Sequence, residues 1–267
     1  MATQPAAEAG VREVKSAARA IEVLELLASR GSDPVTIRDL CTAMGAPRSS
    51  VYALLKTLTD AGWVRTDAQR ATYGIGIRAL LAGTTYLDSD PWLQVVRPHL
   101  GLLGRRLGAT VNFGRLDGDH IVYLASWEFP GRERPIPRVG RRLPAHATAL
   151  GQVILAHLPP TDPAVALYTG RDLEALTRRT LTSPTALRDE LAATAQRGYA
   201  REIAQNTEGV ACLAVYLDCY GTGHDALSVS VPEEEFTAAR ERAVVDALRT
   251  TASVVEEVLT GWAGRPA

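Results

Sequence analysis

The sequence predicts an α+β chain in two parts, an N-terminal winged helix-turn-helix and a larger domain built on a mainly antiparallel sheet, joined by a linker helix. Three observations lead there. Thr36 to Gly62 reads as two short amphipathic helices around a tight turn. Two short β-rich runs, Trp63–Arg65 and Thr72–Ile75, follow directly across the polar turn Thr66–Ala71. Beyond residue 91 strand-like runs come in pairs with helical stretches between them, the order of an antiparallel α+β domain and not of a doubly wound one.

In the first part, Ala18, Ile21, Leu24, Leu27 and Ala28 supply one face of an opening helix, with Ser16 as its expected cap. Thr36 with Asp39 three residues on has the form of a capping box. Ile37, Leu40, Cys41 and Met44 give the second helix its apolar side, and Gly45 ends it. Pro47 is expected at the first position of a third helix. There Val51, Leu54, Leu55 and Leu58 form one stripe, while Arg48, Ser49, Tyr52, Ala53 and Lys56 lie opposite. Two helices around a Gly-containing turn serve any small bundle, but running into a hairpin they match a winged DNA-reading motif. From Met1 to Ile75 there are nine Lys/Arg against eight Asp/Glu, so one copy should hold DNA weakly and need a second. The local cations expected to matter are Arg12, Lys15, Arg19, Arg48, Lys56, Arg65 and Arg70.

A chain of 267 residues suits two cores. The expected divisions are a disordered tail over 1–14, the winged domain over 15–75, a linker over 76–90 and the second domain over 91–263. Net charge is −1, which points to no strongly charged partner. With no apolar run near 20 residues and no basic-then-apolar start, a cytoplasmic protein without membrane contact is expected. Cys41, Cys212 and Cys219 give neither a disulfide framework nor zinc spacing, and no metal or cofactor is expected. Ile77 to Leu87 continues as a helix until the DSDPW segment breaks it. It reads as a plain linker or as a dimerisation arm; the weak charge of the head favours the arm.

The second part opens with a helix over Val95–Leu107 that Gly108 ends. Thr110–Leu116 and His120–Ser126 alternate around Asp117-Gly118-Asp119 as a hairpin. Ala147–Leu158 is helical, and Ser183-Pro184 caps another helix that Gly198 closes. Val210–Leu217 and Ala226–Val231 make a second strand pair, and a final helix runs from Glu233 to near Trp262.

Nothing here reads as catalytic. There is no GxSxG elbow, no GxGxxG and no HExxH pair, the GTGH at Gly221 reads as a hairpin turn, and His146 reads as a packing or capping residue. A small-molecule site fits better. Small residues Ala145, Ala147, Thr148 and Ala149 lead into a helix whose N-terminal N–H groups suit an anion. Cys212, Ser228 and Ser230 stand on strands where alternate positions share a face. The same residues also read as tight packing under a helix.

Five stretches in order, KSAARAIEVLELLA, MGAPRSSVYALLKTLTDAGWV, YGIGIRALLAG, LPAHATALGQVILA and RGYAREIAQNTEGVACLAVYLD with ALSVSVP, make the chain resemble the IclR family of bacterial transcription regulators from about Lys15 to Trp262. The resemblance implies a winged helix-turn-helix, a linker helix and a GAF-like effector domain. It implies double-stranded operator DNA, a small organic acid effector and self-association as dimers or dimers of dimers, with repression one of the family's modes. It places DNA contacts at Arg48, Ser49, Ser50, Tyr52 and Lys56, with Arg65, Arg70 and Arg19 beside them. Ala53 stands where many relatives carry Arg. The effector pocket would fall on Pro135, Ala149, Leu150, Glu202, Val210, Cys212, Ser228 and Ser230. Two rival readings are an enzyme of small-acid metabolism carrying a helix-turn-helix, and a ligand-free regulator that binds a partner.

Overall fold

The computed structural model describes residues 13–67, 69–131, 139–170, 172–218 and 224–263. Pro135, Arg12, most of the expected tail and the GTG of the Gly221 turn lie outside them. Contacts group the chain into two units, Met1–Ser89 and Asp90–Ala267, each with its own core.

In the first unit α1 (Lys15–Ser29), β1 (Val35–Thr36), α2 (Ile37–Met44) and α3 (Arg48–Asp60) precede β2 (Val64–Asp67), β3 (Thr72–Ile75) and α4 (Ile77–Ser89). The capping box forms as the sequence predicts: Thr36 N donates to Asp39 Oδ2 at 2.8 Å, and Asp39 N to Thr36 Oγ1 at 3.3 Å. The bond from the Thr36 N–H holds the Asp39 carboxyl below its usual range. Gly45 takes the left-handed conformation, φ 55°, that closes α2.

Three local readings need correction. Val14, not Ser16, precedes α1, and no side chain caps it. The inward face of α1 is Val23 and Leu27 with Ala20 and Leu24, whereas Ile21 is 56% exposed. Both stripes have helical spacing; the packing of α1 on α2, α3 and β3 selects one. Pro47 caps α3 from just outside, with φ −61° and ψ 143°.

The hairpin strand β2 starts at Val64 and ends at Asp67, two residues later than expected, and β1 adds a third strand to give the order β1-β3-β2. Asp67 Oδ1 accepts from the N–H groups of Gln69 and Arg70, fixing the turn. A side chain on Gly76 would lie 2.3 Å from the Gly62 carbonyl oxygen, so this backbone crossing requires glycine.

The second unit holds α5 (Pro91–Leu107), β4 (Thr110–Asp117), β5 (His120–Trp127), β6 (Arg142–Pro144), α6 (Ala149–His157), α7 (Pro163–Ala166), α8 (Pro184–Arg197), β7 (Ala200–Ile203), β8 (Val210–Leu217), β9 (Asp225–Pro232) and α9 (Ala238–Ala263). One antiparallel six-stranded sheet has the order β6-β5-β4-β9-β8-β7. The pairing of β4 with β9 joins the two hairpins across more than a hundred residues of chain, a contact no local pattern announces. Helices α5 and α9 pack on each other and on β4, β5, β8 and β9, while α6 and α8 pack together, α6 over β7, β8 and β9. Alternation along the strands sends Cys212, Ala214, Ala226 and Tyr123 toward α6.

Several boundaries move. Asp90 caps α5 four residues before the expected start, its Oδ1 accepting from Leu93 N at 3.0 Å. The expected helix over Ala147–Leu158 is a 3-10 turn, Ala145–Ala147, then α6 capped by Thr148, whose Oγ1 accepts from Gly151 N at 3.0 Å. The last helix starts at Ala238 after a separate 3-10 turn over Glu233–Glu235. Strands β6 and β7 and the four-residue α7 are too short to read from period.

A charged cluster braces this unit. Arg115 on β4 meets both oxygens of Asp225 on β9 at 2.7 Å, and its third nitrogen contacts Asp90. Asp225 is fully buried. Burial pushes its carboxyl up against the opposing pull of Arg115, and burial acts on Arg115 too, yet the two aspartates raise the guanidinium overall. Among the described residues no helix is long and apolar enough to cross a membrane.

Candidate functional site

On α3, Arg48 and Ser49 stand in solvent and Tyr52 is 57% exposed, while Val51, Leu55 and Leu58 are buried against α1 and α2. Ser50 is half-buried. Arg48 has no ion pair among the described residues. Lys56 does: its Nζ lies 2.8 Å from Asp60 one turn on, and that bond holds the ammonium above its usual range. Much of the Lys56 charge is thus answered locally, by a pair that stands in solvent and adds little to stability. Arg70 lies 3.7 Å from Asp67 at the hairpin tip. Arg65 lies along β2 against Gly74, and Arg19 is exposed on α1. Arg48 and Tyr52 therefore head a convex, mostly polar helix face beside a hairpin.

The second candidate site lies between the N-terminus of α6 and the sheet. Ala149, Leu150, Glu202, Val210, Cys212 and Ser228 line one cavity, together with Tyr123, Thr148, Asn206 and Thr207. Four stretches distant in sequence meet there, around Tyr123, Thr148–Leu150, Glu202–Cys212 and Ser228. Close approach of the 145–147 turn to α6 is what shapes it: a side chain on Gly151 would sit 2.2 Å from the Ala145 carbonyl oxygen. Ser230 is not in the lining but directly behind it, its Oγ 3.2 Å from Cys212 Sγ. Pro135 lies outside the described residues.

The cavity is small. The space open to the centre of a water-sized sphere is about 10 Å³, room for about one water molecule. Tyr123 and Leu150 are buried against it. Glu202, only 2% exposed, is its one charged lining residue among the described residues, and its Oε1 accepts from the N–H groups of Gln205 and Asn206. That carboxylate fixes the turn after β7.

Sequence reading missed the polar wall behind the cavity. Asn112 on β4 is 1% exposed and stands opposite Ser126 on β5 and Ser228 on β9. Its Oδ1 lies 2.9 Å from Ser126 Oγ, and its Nδ2 lies 3.5 Å from the Oγ atoms of both Ser228 and Ser230. Ser126 Oγ is also 2.9 Å from Glu128. A single Asn inside the apolar run TVNFG was the available signal, since Asn is disfavoured in strands.

His146 packs where the 3-10 turn leads into α6. It is buried, its Nε2 lies 3.0 Å from the Glu174 carbonyl oxygen, and burial lowers its pKa. Gln152 Nε2 bonds the His146 carbonyl and Gln205 Oε1, both at 2.8 Å, tying this turn to the segment beside the cavity. Among the described residues no cluster of His, Cys, Asp and Glu could hold a metal ion.

Residues 84–257 match the family described as bacterial transcriptional regulator IclR, C-terminal, and residues 16–68 match the IclR helix-turn-helix domain. HTH-type transcriptional regulator XynR of Escherichia coli K12 is 34% identical over 202 residues, 76% of this chain and 79% of that protein. The transcriptional repressor IclR of the same strain is 32% identical over 241 residues, 89% and 85% of the two chains. A structure of an IclR homolog complexed with 4-hydroxybenzoate, from Microbacterium hydrocarbonoxydans, aligns with a TM-score of 0.71 at 22% identity, covering 92% of this chain and 99% of that one. At that identity the likeness is one of fold.

Proposed function

The chain belongs to the IclR family of bacterial DNA-binding transcriptional regulators and is a regulator, not an enzyme; from that premise we propose that it is a cytoplasmic protein whose grip on operator DNA is set by a small organic acid in the α6 cavity. Two copies present α3 to successive major grooves of a near-palindromic operator, about one helical turn apart. Arg48 and Tyr52 lead the contact, Ser49 and Ser50 touch phosphate, and Lys56, Arg65, Arg70 and Arg19 hold the flanking backbone. The apolar residues Ile77, Leu80 and Leu81, all more than half exposed on α4, are suited to bury against a second copy.

The observation that carries the effector reading is the meeting of Ala149, Leu150, Glu202, Val210, Cys212 and Ser228 around one cavity. The N–H groups opening α6 suit a carboxylate, and Ser228 and Cys212 suit its polar substituents. The Microbacterium protein, on the same fold, was solved with an aromatic hydroxy acid. Because the cavity holds about one water molecule, such an acid must part α6 from the sheet, and that movement is a means of biasing the DNA-competent arrangement. A coupling of about 1–3 kcal/mol corresponds to roughly 5–150-fold in operator affinity.

Thermal shift across organic acids tests this. Stabilisation by an acid, reduced in Ser230→Ala and paralleled by a change in gel shift on DNA upstream of its own gene, supports the reading. The small cavity also favours a second reading, a regulator that works without a ligand. Absence of any acid-induced shift, with operator binding intact, would select it.

A further inference from the structure

The wall behind the cavity has a hydrogen-bond direction, and that direction names the ligand chemistry; the inference rests on the effector reading above. Ser126 Oγ lies 2.9 Å from Asn112 Oδ1 and 2.9 Å from Glu128 Oε1. A hydroxyl carries one proton, and both of those oxygens only accept. The charge-assisted bond to Glu128 is the stronger claim on that proton. With Oδ1 toward Ser126, two oxygens then face each other at 2.9 Å with no proton between them. A half-turn of the amide exchanges its oxygen and nitrogen within the same space. Nδ2 then donates to Ser126, and Oδ1 faces the Ser228 and Ser230 hydroxyls, each 3.5 Å from that end of the amide. Both serines direct their protons to Asn112, and Cys212, 3.2 Å from Ser230, directs its S–H to Ser230.

We infer that Asn112, oriented by Ser126 and Glu128, is a specificity-determining residue that makes Ser228 face the cavity as an acceptor, so the site selects an organic acid bearing a hydroxyl over the matching keto or unsubstituted acid. The ligand hydroxyl donates to Ser228 Oγ; a ketone there sets lone pair against lone pair. Among the described residues the lining holds no Lys, Arg or His, and Glu202, its one charged group there, also only accepts. The ligand carboxylate therefore belongs at the α6 N–H groups and its hydroxyl at the sheet.

Two measurements test this on the full-length protein. With the Asn112 amide selectively labelled, its side-chain N–H protons should show nuclear Overhauser contacts to the Ser126 β-protons. Contacts to Ser228 and Ser230 instead overturn the inference without any ligand being known. Calorimetry then compares lactate with pyruvate and 4-hydroxybenzoate with benzoate. The hydroxylated member of a pair that binds should be favoured by about tenfold or more, as at sites built to pair a hydroxyl. Glu128→Gln, whose amide can donate to Ser126 and release Asn112 to turn, should bring that ratio toward one. Binding without preference, or a ratio unmoved by Glu128→Gln, overturns this inference and leaves the effector reading standing. Where none of the four binds, the Overhauser contacts decide the inference and the thermal shift across organic acids decides the effector reading.

Discussion

Arg48, Ser49 and Tyr52 stand in solvent, whereas Asn112, Glu202, Ser228 and Ser230 are all buried, and the two sets place opposite demands on the protein. A side chain that must enter a DNA groove can stay hydrated until it binds, so α3 carries its polar face at little cost to folding. A side chain that must meet a ligand inside a domain has lost its water already, and has to be satisfied by its neighbours. The Ser126–Asn112–Ser230–Cys212 chain and the Glu202 turn are that satisfaction. A ligand in the second unit would compete with bonds already made, while DNA at the first would compete with water and with the exposed pairs to Asp60 and Asp67.

The largest test of this contrast is Asp225→Ala, which leaves the half-buried Arg115 with Asp90 alone and should cost the second unit about 3 kcal/mol. Hydrogen exchange should show the loss over β4, β8 and β9 and spare α2 and α3; equal loss in both units would show that they do not fold independently. Next, Arg48→Ala with Lys56→Ala should weaken operator binding on the order of 100-fold in a dimer, with unfolding and self-association unchanged. Made singly, Arg48→Ala should dominate, since Lys56 is already paired; a larger loss from Lys56→Ala in gel-shift titrations would reverse the assignment. Smaller is Thr36→Ala, which removes the α2 cap and should cost about 1 kcal/mol in the first unit alone, read by denaturant unfolding.

The smallest effect is the pH response of His146. Burial lowers its pKa in the fold, so below the ordinary imidazole range the unfolded chain takes up the proton more readily. Its contribution is present above about pH 6.5, the reference imidazole value, and is lost as pH falls through the folded pKa. Urea titrations at pH 8 and pH 5.5 should show a steeper decline for the wild type than for His146→Gln. Equal declines would remove His146 from the acid response.

Much of the first unit is local in origin and so was legible. The capping box at Thr36, the glycine stop at Gly45 and the Val51, Leu55 and Leu58 stripe each depend on residues within two turns of one another. The inward face of α1 was misread because Ile21 and Val23 both belong to helical stripes, and only the packing of α1 on α2, α3 and β3 distinguishes them. In the second unit the hairpins, the Ser183 cap and the sharing of one strand face by Cys212, Ser228 and Ser230 also follow from period and punctuation. Resemblance, not period, brought Glu202 and Val210 into the candidate pocket. Asn112, Tyr123, Asn206 and Thr207 were missed because nothing local relates β4 and β5 to the turn after β7.

By itself, then, the sequence determined the α+β class, the helix-turn-helix with its hairpin, and the outward set from Arg48 to Lys56, since a solvated helix face follows from spacing alone. Only the tertiary structure decided the β4–β9 pairing, the Asp90–Arg115–Asp225 brace and the size and wall of the cavity. The physical reason is range. Helix faces and caps are settled within a few residues, but a buried polar group's partners are chosen by whichever distant strand packs beside it.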